Sequence, residues 1–222
     1  MKKFLIILSS IILIATLTTF NPNKLNFNLK LFKIEKIELK NVEILSVQKL
    51  KRLFKSELSQ TSLLIIDNEK INKILINNEL IDYVELKKIY PSKLIISIYE
   101  KEVIAITNYK KKKYYLTKNG EKIKYFKNDK LEDLPNIFGQ QKNFLNIYLS
   151  LQKLNFPISR VKSFYYFDIG RWDIVLKNGK TIKLPVNNFV ESIENFIEIE
   201  KKINFESYSI FDYRIKDQLI LN

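Results

Sequence analysis

The 222-residue chain carries 38 Lys+Arg against 24 Asp+Glu, a formal net charge of +14, with 46% apolar and 28% charged residues. That balance excludes a disordered chain and a multi-span membrane protein, and the length suits one large domain or two modest ones. With no Cys and no His, disulfides, thiolate nucleophiles, Cys-type zinc sites and the commonest general base drop out, leaving only carboxylate, Lys or Ser/Thr chemistry. The positive charge in isolation points to nucleic acid or an anionic membrane surface. The bases, however, are mostly Lys, scattered through a chain rich in Ile and Asn, which is the mark of an AT-rich genome. No Arg-rich helix or aromatic-and-Gly RNA strand accompanies them, so no nucleic-acid partner is expected.

Met1-Lys2-Lys3 precedes an uncharged apolar stretch over residues 4–20, which ends at Asn21-Pro22-Asn23. As a helix it is about 25 Å long, slightly short of the ~30 Å hydrocarbon core but within the range of a single span. Two Lys followed by an apolar run also describe a cleaved signal peptide. No small-x-small cleavage site stands out, since Ala15 is followed by Thr16, Leu17 and Thr18 and Phe20 is bulky. The favoured expectation is an uncleaved signal-anchor that contacts the lipid bilayer through residues 4–20. The nearly even placement of Lys2 and Lys3 before the stretch and Lys24, Lys30 and Lys33 after it leaves orientation undecided by charge. With residues 1–3 as a short cytoplasmic start and about 200 residues behind the span, the large part is expected outside the cytoplasm, after a linker over 21–30.

From residue 31 to about 107 the period divides the chain. Phe32, Ile34, Ile37 and Leu39 predict a strand with a slip near Glu35-Lys36, ending at Asn41, which tolerates left-handed geometry. Ser46 can cap a helix with Val47, Leu50, Leu53, Phe54 and Leu58 on one face, and Asp67 can cap a second through Ile71, Ile74 and Leu75. Alternation returns at Val84 and Leu86, turns at Tyr90-Pro91-Ser92 and resumes at Leu94, Ile96 and Ile98. The order is β-α-α-β-β.

Beyond Ile106 the pattern is mostly strand. Two β-runs flank Asn119-Gly120, a strong hairpin signal, and Lys177-Asn178-Gly179-Lys180 repeats the device between runs starting at Trp172 and Thr181. Helices are expected near residues 144–154, ended by Phe156-Pro157, and near 189–203. Final β-runs cover 208–215 and 219–221. The expected architecture is an antiparallel sheet with flanking helices, so the fold class is α+β.

The segment Ile81-x-x-Val84-x-Leu86-Lys87-Lys88-x-Tyr90-Pro91-x-x-Leu94-x-Ile96-x-Ile98-x-Glu100-x-x-x-Ile104-Ala105 resembles the POTRA domain of the bacterial cell-division family FtsQ/DivIB. Asn41, at the usual Gly, and Leu64-Ile65-Ile66-Asp67 match as well. The resemblance continues through Leu116-Thr117-Lys118-Asn119-Gly120, Leu134-Pro135-Asn136-Ile137-Phe138-Gly139, the Trp172-led hairpin and Phe211-Asp212-Tyr213-Arg214-Ile215, where Ile215 replaces an aromatic residue. It implies a POTRA domain over 31–107 and a β-domain over 108–222. It also implies a non-enzymatic, single-pass scaffold of the division machinery in the inner (plasma) membrane, displaying its C-terminal part in the periplasm or extracytoplasmic space and binding an FtsB/FtsL-like pair. POTRA modules of outer-membrane assembly and secretion factors share the topology, and a secreted basic binding protein with a cleaved signal peptide is the other alternative.

Individual residues carry two readings each. Glu100 is a ligand or a catalytic carboxylate or, more in keeping with Lys101 beside it and no second acid placed to work with it, a surface or hairpin ion pair. The Lys110–Lys113 run touches anionic headgroups or is a solvated hairpin loop. Trp172 anchors a sugar or peptide, or belongs to the core. Nothing assembles a catalytic site: there is no Gly-x-Ser-x-Gly and no phosphate loop, and with 4 Gly in the chain no cofactor, metal or small-molecule substrate is expected. If the last strand lies uncovered, its outer N–H and C=O groups can take a partner strand. Arg214, Ile215, Asp217, Leu219 and Leu221 are the candidate partner-binding residues, with Arg214 equally placed to pair with Asp212.

Overall fold

The computed structural model describes residues 7–14, 32–141, 143–202 and 205–222. Residues 7–14 are helical and exposed; the rest of the predicted 4–20 span and the 21–30 linker lie outside the described residues. Among the described residues no helix is long and apolar enough to cross a membrane. The chain divides into two compact units. One takes in the residues up to Lys40, Val47–Ile74 and Val84–Ser97, the other Asn41–Ser46, Leu75–Tyr83 and Ile98–Asn222.

Around the first unit the elements run β1 (Lys36–Lys40), α1 (Val47–Leu58), α2 (Asn68–Leu75), β2 (Ile81–Ile89) and β3 (Lys93–Glu100), in the expected order. β1 lies parallel to β3 in a sheet ordered β1-β3-β2. α1 buries Leu50, Phe54 and Leu58, a four-residue spacing that keeps one stripe inward. Val47 and Leu53 sit at the stripe's edge and stay partly exposed. Asp67 Oδ1 accepts the Lys70 N–H at 2.9 Å and so caps α2. Asn41 adopts a left-handed φ of 57° where β1 ends. Phe32 also has a positive φ, so the strand starts later than its apolar pattern suggests, at Lys36.

The second unit is built on a nine-stranded sheet. Its strands are β4 (Val103–Tyr109), β5 (Lys112–Thr117), β6 (Lys122–Lys124), β7 (Asn136–Phe138), β8 (Val161–Phe167), β9 (Arg171–Leu176), β10 (Thr181–Lys183), β11 (Ile210–Asp212) and β12 (Ile220–Leu221). They are ordered β12-β11-β10-β9-β8-β7-β4-β5-β6. The sheet is mixed, not antiparallel as the hairpins suggest. β4–β7, β7–β8 and β10–β11 are parallel. Parallel neighbours need a crossover, and α3 (Phe144–Lys153) and α4 (Phe189–Lys202) supply two of them, between β7 and β8 and between β10 and β11.

α3 and α4 cover one face through Phe144, Ile147, Leu151, Ile193 and Phe196, packed with Phe164, Trp172, Ile174, Ile182 and Phe211. Trp172 is therefore a core residue, 5% exposed, with its ring 5.9 Å from Phe144 and 4.8 Å from Tyr166. A second cluster of Leu80, Ile106, Tyr115, Ile123 and Leu131 covers the other face at the β4–β6 end. Period-two alternation sends Leu116 to the first cluster and Tyr115 to the second.

Among the described residues Glu100 does not form the ion pair expected with Lys101, which pairs with Glu121 instead. Its carboxylate accepts backbone N–H groups from Ile44 at 2.6 Å, Leu45 at 2.8 Å and Glu43 at 3.3 Å. Three donors converging on one carboxylate pin the loop after β1 to the end of β3. Glu100→Ala is expected to lower stability by about 2–3 kcal/mol in denaturant titration, because half-buried N–H groups lose a charged acceptor. The amides of Ile44 and Leu45 should then exchange faster, and Glu100→Gln should cost less, since it keeps one acceptor oxygen.

Candidate functional site

The sheet has two edges, and they differ chemically. β6 is three residues long and carries Lys122 and Lys124, the short, charged kind of edge that discourages strand addition. At the other edge, β12 pairs antiparallel with β11, Phe211 opposite Leu221 and Asp212 opposite Ile220. The Asn222 N–H donates to the Ile210 carbonyl at 3.1 Å, and the Ile210 N–H to the Asn222 carbonyl at 2.9 Å. In an antiparallel pair the bonded positions alternate, so Leu221 directs its own N–H and C=O away from β11. Among the described residues no strand pairs with that side of β12.

The predicted partner-binding residues fall into two groups. Leu219 and Leu221 turn inward, half-buried against the helix-covered core. Ile220, which alternation places on the opposite face, is 40% exposed and lies outside the expected set. Arg214, Ile215 and Asp217 lie in the bend before β12, where Asp217 has a φ of 57°. The predicted 208–215 run is cut short there, because β11 ends at Asp212 and the Arg214 N–H turns back to Asp212 Oδ1 at 3.1 Å. With α4, the bend lines a groove of about 850 Å³ whose walls include Glu191, Asn195, Tyr213, Arg214 and Leu219. The Tyr213 hydroxyl donates to Asn195 Oδ1 at 3.1 Å, joining two of its lining residues.

The Arg214 guanidinium is held by Asp212, with Nε 2.8 and 2.9 Å from the two carboxylate oxygens and an Nη 2.5 Å from Oδ2. This is the intramolecular partner that the spacing allowed, and it leaves Arg214 partly exposed. Strand register extends the charge into a row on the open face, Asp173 opposite Lys183, Lys183 opposite Asp212, and Asp212 opposite Ile220. Arg171 flanks the row 4.2 Å above the Phe167 ring, with one Nη 3.7 Å from Asp173 Oδ2. Arg171 Nε and Asp173 Oδ1 are buried without a hydrogen-bond partner among the described residues. No local motif marks this row. Its one signal is a charged residue at an alternating position in each of three apolar strands, and it has meaning only once the register is known.

The two acids in this row titrate in opposite directions. Hydrogen bonding from Arg214 holds Asp212 below the usual 3.8, while burial pushes Asp173 above it. Ionised Asp212 therefore contributes stability that is lost as the pH falls through its lowered value. Ionised Asp173 is a liability relieved as the pH falls through its raised one. Carboxyl carbon shifts followed by NMR should show Asp173 protonating first on acidification and Asp212 last.

Residues 105–214 match the family model for the C-terminal domain of cell division protein FtsQ/DivIB. The chain is 28% identical over 165 residues to a cell division protein FtsQ of Rickettsia bellii, covering 71% of this chain and 60% of that protein. It is likewise 28% identical over 171 residues to FtsQ of Bartonella bacilliformis, covering 72% of this chain and 54% of that one. The matched part thus spans little more than half the length of these relatives. A solved DivIB major extracytoplasmic domain from Geobacillus stearothermophilus aligns over 48% of this chain and 99% of that one, at 15% identity and a TM-score of 0.33.

Proposed function

Because this chain belongs to the FtsQ/DivIB family of cell-division proteins, we propose that it is a non-enzymatic scaffold of the bacterial division machinery that recruits an FtsB/FtsL-like pair by strand addition to β12. In this reading residues 4–20 anchor the chain in the plasma membrane, the β-α-α-β-β unit is a POTRA domain, and both units lie outside the cytoplasm. The observation that carries the proposal is the contrast between the edges, Lys-guarded at β6 and apolar with outward backbone groups at β12. An incoming strand gains main-chain hydrogen bonds along Leu221 and side-chain contact with Ile220. The row of Asp173, Lys183 and Asp212 beside it supplies charges that select the partner's orientation more than its affinity.

The test compares recovery of the FtsB/FtsL-like pair from detergent-solubilised membranes by the full chain and by one cut before Lys216. Recovery is expected to fall to background with the shortened chain. Equal recovery would overturn docking at β12, and a fluorescent fusion that fails to gather at midcell would overturn the division role itself.

A further inference from the structure

The guarded edge has a second property. β4 and β5 are joined by Lys110-Lys111, both with positive φ, 47° and 63°. A two-residue turn of this kind favours Asn and Gly, because a Cβ there crowds the backbone. AT-rich codons supply Asn as readily as Lys, so composition does not account for Lys at both positions. Register adds more of the same chemistry. Tyr109 stands opposite Lys112, Tyr114 opposite Lys124, and Leu116 opposite Lys122, all on one face of the sheet.

The rings and ammonium groups contact one another. Lys122 Nζ lies 4.0 Å from the centroid of the Tyr109 ring, which Lys110 also overlies at 5.4 Å, and on the opposite face of the hairpin Lys113 lies 5.5 Å from Tyr125. Tyr109 and Tyr114 meet edge to face at 6.5 Å. The neighbouring Lys101 and Lys118 are neutralised by Glu121 and Glu102. By contrast, Lys110–Lys113, Lys122 and Lys124 form no ion pair among the described residues.

We propose that this Lys–Tyr corner rests on the anionic headgroup surface of a phospholipid bilayer. Each ammonium near a negatively charged leaflet favours contact by about fivefold. Tyr rings, apolar in body and polar at the tip, suit the headgroup layer in which such a contact sits. The corner is built from Lys without Arg. A flexible point charge matches a fluid field of phosphates, whereas the guanidinium fork matches one fixed phosphate, so a bilayer is favoured over a structured polyanion. The inference rests on residues 4–20 being an anchor, because tethering holds the corner near the bilayer at high effective concentration and makes a weak contact count.

The absence of Cys makes the test direct. The full chain bearing Lys111→Cys, labelled with an environment-sensitive fluorophore at this exposed turn position, is reconstituted into phosphatidylcholine vesicles with and without phosphatidylglycerol. A blue-shifted, quencher-protected emission is expected in the anionic vesicles alone, and it should fade at high salt. Replacing Lys110, Lys112, Lys122 and Lys124 together by Gln should lower the contacting population by at least about tenfold, and Arg at those positions should restore it. Gln at the exposed Lys51, Lys55, Lys73 and Lys87 should leave it unchanged. Equal emission in both lipids would overturn the proposal in favour of simple edge protection. So would loss with the second set of substitutions, or an equal response to soluble polyphosphate over zwitterionic vesicles. Flotation of the unlabelled chain with phosphatidylcholine at high salt reports the anchor separately. Floating with a silent label sinks the corner contact alone. Failure to float sinks the anchor, and binding that then requires phosphatidylglycerol still supports the corner.

Discussion

If β12 takes a partner strand as proposed, Leu221→Pro is expected to weaken binding of the FtsB/FtsL-like pair by about 10- to 100-fold while leaving the fold in place, the size expected for losing one main-chain hydrogen bond and the close approach it allows. Proline removes the N–H that points away from β11 and spares the inward bonds made by Ile210 and Asn222. Edge strands tolerate proline where the missing donor faces outward. Because Leu221 is also half-buried against the core, Leu221→Ala is the matched control, losing similar packing but keeping the donor. Titration of the purified pair against both variants decides the matter. If they bind alike, the partner reads side chains or another surface, and strand addition at β12 is wrong.

The second large effect concerns stability. Gly139 has a φ of 89°, and a Cβ placed on it would lie 2.5 Å from the Tyr166 backbone oxygen. Gly179 has an almost identical φ of 87° with nothing within 4 Å of the same position. Both Ala substitutions incur the left-handed penalty of about 1–2 kcal/mol. Only Gly139→Ala must also push β7 away from β8, strands whose parallel pairing aligns Asn136 with Ser163 and Phe138 with Tyr165. Urea denaturation is therefore expected to show a loss of about 1 kcal/mol for Gly179→Ala and at least about 3 kcal/mol for Gly139→Ala. Equal losses would mean that the close approach of Gly139 to β8 is relaxed in solution.

This pair of glycines also shows where local reading stops. Both follow from sequence as turn or connection residues, and Asn178-Gly179 even names its hairpin. Nothing adjacent to Gly139 reveals that Tyr166, 27 positions later, packs onto it. Glu100 is similar. Its place at the end of an alternating strand suggests a surface ion pair with Lys101, yet its partners are three N–H groups more than 50 residues earlier. Arg214 lies at the other extreme. Its partner Asp212 is two residues away, so the pairing is already visible in the spacing.

What the amino-acid sequence settles by itself is whatever depends on neighbours within one or two turns of chain. The helical stripes of α1 and α4, the Asp67 cap, the Asn-Gly hairpins and the lack of thiol and imidazole chemistry are all of this kind, because propensity, periodicity and side-chain type act locally. The order of the nine strands, the parallel joins at β7 and β10, the row from Asp173 to Ile220 and the choice of β12 as the open apolar edge belong to the tertiary structure alone. Strand pairing joins segments far apart in the chain, and the free energy that selects among registers comes from burying one face against α3 and α4, which no local window contains.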